Sequence, residues 1–240
     1  MTHSDLRLAT RYVAILVATW LVGTALVLMA SAQGSTVPTS PMTAAHLEQL
    51  HNAWGWYASA YGVLFVTDGS IALLGVMLWA WLKPTSALVS GMVVALFVLS
   101  GVFGLMDDVA MVAAAQVFRD GSAMLSPELA GAFLDGLNVS TNWVSAASIF
   151  PGGIAALIIV SAARDGGMGV TLNPRWIRYT RVLGIYQIVL GFVCVFALLS
   201  QNPMALNLAV GGAALLLPVL CIPWLLWTLR EMHKHPASSM

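Results

Sequence analysis

Charge is scarce in this chain. Charged residues make up 8% of its 240 positions, against about 25% in a soluble globular domain. Hydrophobic residues make up 59%. A soluble surface needs more polar cover than that, so most of this surface is expected to face a bilayer. The formal net charge is zero and no long Lys/Arg run occurs, which argues against a nucleic-acid partner. Cysteine is nearly missing too. Cys194 and Cys221 lie in different apolar runs, at depths that differ by roughly 10 Å, too far for a disulfide. Histidine is absent from the apolar runs: His3, His46, His51, His233 and His235 all fall outside them, which argues against histidine ligation of a buried haem. There is no H-E-x-x-H, and the glycines of 166–169 lack the GK[ST] of a phosphate loop. His46, Glu48 and His51 sit close together before the second apolar run, but their spacing does not put all three on one helix face. No cofactor and no metal site is expected.

Long apolar runs are what the chain does have. Six are near the ~20 residues that cross a hydrocarbon core: 12–32, 54–82, 86–106, 139–163, 177–200 and 206–229. The expected fold is all-α, a single integral membrane domain over 1–240 built as a bundle of six transmembrane helices. Arg7 and Arg11 followed by an apolar run and Ala30-Ser31-Ala32 have the layout of a secretory signal, but the run exceeds the usual ~7–15 residues and is read as the first helix. With both termini cytoplasmic, Arg7, Arg11, Lys83, Arg164, Arg175, Arg178, Arg181, Arg230 and Lys234 fall on one side and only Arg119 on the other. That is the positive-inside pattern, and it suggests the cytoplasmic (inner) membrane. Arg175, Trp176, Arg178, Tyr179 and Arg181 form a basic aromatic collar suited to anionic lipid headgroups.

The second run carries Asp68 near its middle. A carboxylate at that depth is costly and is expected to face protein or water. Helical spacing puts Tyr57, Tyr61, Phe65 and Ala72 on its face. Gly55, Gly62 and Gly69, seven apart, form a small-residue stripe beside it, and the third run carries Ser100, Gly101 and Gly104. Such faces let helices approach closely, within the chain or in a homo- or hetero-oligomer. The third run ends in Asp107-Asp108, whose side chains point about 100° apart, so each needs a partner from another helix rather than forming a dyad.

Short amphipathic helices are expected on the outer face. One begins after Thr43 and runs into the second helix, which then begins near Ala44 and enters the bilayer near Trp54, with Leu47, Leu50 and Trp54 on one side. Another begins at Ser126-Pro127-Glu128, an N-cap, a first-turn proline and a first-turn acid, with Leu129, Phe133, Leu134 and Leu137 on one face. Pro151-Gly152-Gly153 predicts a kink or break in the fourth helix. Pro84 and Pro174 each open a helix and each has a glycine seventeen residues on, Gly101 and Gly191, a faint sign of duplication.

Three functions compete. The first is binding or translocation of a cation or amphiphilic solute through an outward-facing cavity, with Asp68, Tyr57, Tyr61, Asn142, Gln187, Asp107 and Asp108 as ligand-binding residues. The second is a non-catalytic subunit of a larger membrane complex, with Asp68 bonded to Gln187, Asn142 or a kinked backbone and fixing helix register. The third is an intramembrane enzyme acting on a lipid or isoprenoid through Asp107, Asp108 and Asp68. No catalytic residue is assigned, and the partners expected in every case are membrane lipids.

Overall fold

A computed structural model describes residues 3–32, 44–83, 86–121, 126–164, 172–200 and 203–235. They form α1 (His3–Ala32), α2 (Ala44–Leu82), α3 (Ala87–Gly121), α4 (Pro127–Arg164), α5 (Pro174–Ser200) and α6 (Pro203–Lys234). Among the described residues there is no strand. Five helices are long and apolar enough to cross a membrane, over Ser4–Ala30, Glu48–Leu82, Ala87–Val117, Ser140–Ala163 and Pro174–Ser200.

The helices run antiparallel in chain order. Each packs on its sequence neighbours, and α1 also meets α6, so the six form a closed ring. The turn at Leu82–Lys83 marks what is called here the lower end, shared by Arg7, Arg175, Arg230 and Lys234. Arg119 lies at the upper end, with its guanidinium 5.2 Å from the Trp54 ring.

The segment from Ala44 runs into α2, as its sequence implied, and α3 continues past Asp108 to Gly121 along the apolar pattern of 112–118. The separate short helix expected from Ser126 is corrected: from Pro127 it forms the first turns of α4 itself. At about 1.5 Å per residue the 39 residues of α2 reach nearly 60 Å, well beyond a ~30 Å hydrocarbon core. Leu50, Ala114 and Ala130 pack together there with Tyr57 and Leu137. These apolar groups bury against one another, so no bend toward a lipid surface is needed. Leu129 and Phe133, expected on the packed face, are exposed instead. Pro151 does not break α4, which stays helical through it.

The lower half holds the core. Leu16, Leu78, Leu82, Val93, Ile159 and Trp176 are fully buried there. The three buried indoles of this core have acceptors among the described residues. Trp176 Nε1 donates to Thr228 Oγ1 at 3.1 Å, Trp224 Nε1 to Thr180 Oγ1 at 3.0 Å, and Trp81 Nε1 to the His235 carbonyl at 3.3 Å. Buried Glu231 accepts from Lys234 Nζ at 2.9 Å and from the Asn173 amide at 3.4 Å, tying the end of α6 to the start of α5. Large apolar side chains on the outside of the ring, such as Leu73, Val182, Phe192 and Phe196, are exposed, as they are on a surface solvated by lipid.

The start of α4 follows its sequence. Ser126 Oγ accepts the Leu129 amide at 3.3 Å and the Ser126 carbonyl accepts the Ala130 amide at 3.0 Å. The hydrogen bond from Ser126, helped by a backbone amide, holds the exposed Glu128 carboxyl below its ordinary pKa. A carboxylate favoured in the folded state stabilises above its ordinary titration range, and that contribution is lost as pH falls through the depressed value. Ser126→Ala is expected to cost about 1 kcal/mol locally. The measurement is the hydrogen-exchange protection factor of the Ala130 amide, which should fall roughly five-fold in the variant and should also fall in the wild type on acidification.

Candidate functional site

The ring encloses a cavity of about 400 Å³ to which all six helices contribute, within the size range of small-molecule sites. Leu16, Trp20, Ile71, Leu74, Leu183 and Leu225 give it apolar walls. Phe97 and Trp224, stacked with centroids 6.3 Å apart and planes 9° from parallel, form its floor toward the lower end. Asp68, Asp107, Asp108, Tyr61, Ser100, Ser145, Ser148 and Gln187 make the polar lining. Among the described residues no Lys, Arg or His lines it.

Asp68 reaches this cavity because α3 yields space for it. A Cβ built at Gly104 would overlap the Asp68 carboxyl, and one at Gly101 would lie 2.6 Å from the Asp68 carbonyl and 2.8 Å from Ala72 Cβ. The two glycines therefore bring α2 and α3 together around the carboxyl. Because Cβ atoms lean toward a helix N-terminus, Asp68 on α2 leans up and Asp108 on antiparallel α3 leans down. Their carboxyls come within hydrogen-bonding reach of each other. Two carboxylates so placed repel unless a proton or a cation lies between them.

The neighbouring Asp107 turns the other way. Ser145 Oγ donates to Asp107 Oδ2 at 2.5 Å, Ser148 Oγ donates to the Ser145 carbonyl at 2.7 Å, and Ser100 Oγ donates to the Ser148 carbonyl at 2.6 Å. Each aspartate finds its partner on a different helix, Asp108 on α2 through Asp68 and Asp107 on α4 through Ser145, and both line this cavity. Since α3 lies between α2 and α4, a 100° separation sends one carboxyl to each flank of a space broad enough to hold both. Asp108 is 2% exposed, and its Oδ2 has no hydrogen-bond partner among the described residues.

The other expected residues divide. Tyr61 and Gln187 border the cavity. Tyr57 stands behind, its ring parallel to that of Tyr61 at 6.3 Å, and packs into the upper cluster. Asn142 is half-buried and does not border the cavity. Phe65, placed on the face of Asp68 by spacing, is 45% exposed; Leu64 and Ile71 occupy that face instead. Asp68 also lies lower in its helix than the apolar run implied, 14 residues above Leu82 in a helix of 39, or about 21 Å. Gln187 does not meet Asp68 but donates to Cys221 Sγ at 3.5 Å.

Serines were the missed residues. Ser145, Ser148 and Gly152 recur at helical spacing, a small polar stripe on α4 legible in the sequence but overshadowed by Pro151. The glycine faces also part ways. Gly101 and Gly104 are occupied by α2 within the chain, whereas a Cβ at Gly55 or Gly62 would meet nothing within 4 Å. Among the described residues no three His, Cys, Asp or Glu side chains are grouped to hold a metal ion. The His46 side chain lies outside the described residues.

Comparison with known proteins yields no match: no family model fits the chain, and neither a curated protein nor a solved structure is similar to it. The functional reading therefore stands on the cavity itself.

Overpacking tests the α2–α3 seam. Gly104→Ala is expected to destabilise by roughly 1–3 kcal/mol, because the added methyl displaces the Asp68 carboxyl. Combined with Asp68→Ala, the loss should be smaller than the sum of the two single losses. Unfolding measured in detergent for all four members of the cycle gives the coupling, and strict additivity would contradict the contact.

Proposed function

We propose that this protein is a six-span membrane protein of the cytoplasmic (inner) membrane that binds, and in transport releases, an amphiphilic cation. The sixth span is α6, which completes the ring between α5 and α1. Cytoplasmic termini follow from the basic residues gathered at the lower end. The observation that carries the reading is the composition of the cavity lining: among the described residues it has three carboxyl side chains from α2 and α3, apolar walls, and no basic side chain. Asp108 Oδ2, buried and without a partner among the described residues, is an acceptor awaiting a donor. A protonated amine supplies both the hydrogen bond and the countercharge, while its alkyl body fits the leucine and tryptophan walls. The outward-facing direction is supported by the large side chains packed around Phe97 and Trp224 toward the lower end.

A second reading, a subunit of a larger complex, draws on the open surface at Gly55 and Gly62, where another helix fits closely. The enzyme reading has less support, since no basic group among the described residues lines the cavity to hold a phosphate or diphosphate.

Equilibrium binding of octylammonium to the protein in lipid nanodiscs, against empty discs, is the test. The wild type should bind above background. Asp68→Asn and Asp108→Asn should each weaken binding about ten-fold or more, the scale of a hydrogen bond to a charged group. Binding should also weaken on acidification, since protons compete with the amine for the carboxylates. Binding no greater than to empty discs, or unchanged in both variants, would sink the proposal.

A further inference from the structure

The cavity has a second unsatisfied polar position, away from the carboxyls. Gln187 Nε2 is committed to Cys221 Sγ, which leaves Oε1 as a buried acceptor with no partner among the described residues. Room for that oxygen comes from α4: a Cβ at Gly152 would lie 3.2 Å from it, so the missing side chain leaves the niche in which the amide sits. Tyr186 Oη is also buried and unpartnered but does not border the cavity. Gln187 does border it, so its free oxygen is available to a molecule held there.

The separation of the two positions can be read along α4. Asp107 is bonded to Ser145, and Gln187 abuts Gly152. Seven residues, two helical turns, separate Ser145 from Gly152, or about 10 Å along the axis. Leu183 and Ile149 border the same cavity and are apolar. One polar end of the cavity is acidic and the other is a neutral acceptor; between them Leu183 and Ile149 lie beside the hydroxyls of Ser100 and Ser148, whose protons are already given to backbone carbonyls.

Resting on the amine-binding reading above, we infer that the ligand is two-ended: a cationic group at Asp108 and Asp68, an apolar spacer of about 10 Å, and a hydrogen-bond donor such as a hydroxyl at Gln187 Oε1. A ligand with a plain alkyl end leaves that acceptor buried and unpaired, whereas one with a hydroxyl satisfies it. The distal group is thus a specificity determinant, read by a neutral residue and independent of the charge at the other end.

The experiment compares octylammonium with ω-hydroxyoctylammonium in the nanodisc assay, using wild type, Gln187→Leu, Gln187→Glu and Asp108→Asn. In the wild type the hydroxyl compound should bind about five-fold more tightly, the scale of one neutral hydrogen bond. Gln187→Leu should abolish that advantage and bind octylammonium at least as tightly as the wild type, since no acceptor is then left unpaired, which also reports that the variant is folded. Gln187→Glu, which retains acceptor oxygens there, should keep the advantage. No hydroxyl advantage in the wild type, or an equal advantage in Gln187→Leu, overturns the inference while Asp108-dependent octylammonium binding leaves the amine site standing. Failure of both compounds to bind the wild type overturns the amine site and this inference together.

Discussion

The close approach of α2 and α3 around a carboxyl is the constraint on which the site depends. Gly101 and Gly104 have no side chains to hold the helices apart, so the Asp68 side chain lies against the α3 backbone. Antiparallel geometry then tips Asp68 and Asp108 toward each other. A larger residue at position 104 would push the carboxyl out of this seam, and the pairing with Asp108 would go with it. Pairing of this kind is how an ionisable group persists in a membrane helix at acceptable cost.

Everything below that level is built to stay closed. Toward the lower end large side chains fill the ring, and the indole N–H groups of Trp81, Trp176 and Trp224 find hydroxyl or carbonyl acceptors on neighbouring helices. Nearer mid-height the smaller groups Ser100, Ser145, Ser148 and Gly152 leave room for the cavity between leucine and tryptophan walls. The polar groups that remain are thereby gathered where a ligand has room.

The two unsatisfied acceptors on the cavity wall differ in kind. Asp108 Oδ2 belongs to a carboxyl facing another carboxyl, and Gln187 Oε1 belongs to a neutral amide already anchored through its nitrogen. A buried acceptor without a donor is destabilising by itself. Their shared exposure to one space is what links them to a ligand. The serine chain from Ser100 through Ser148 and Ser145 to Asp107 is by contrast internally satisfied at every hydroxyl, and it acts as a brace that orients α3 against α4.

Hydrophobic run length and the scarcity of charge were enough to read an all-helical membrane protein from the sequence, because a bilayer tolerates little else. The Ser126-Pro127-Glu128 start of α4 was likewise legible, since capping is a local matter. Gly101 and Gly191, each seventeen residues after a turn proline, do sit at tight contacts, against α2 and against Phe150. The start of α2 near Ala44 and the run of α3 past Asp108 were legible as well, but the segment from Pro127 read as a separate helix because its packing of Ala130 against Leu50 and Ala114 is a tertiary matter. Tertiary structure alone decided which faces meet. Helical periodicity places Phe65, Asp68 and Tyr61 to within an arc, but the rotation of α2 is set by the glycines of α3, residues thirty and more positions away. It decided also that Asp107 and Asp108 share one cavity, because the space between six helices belongs to none of them singly.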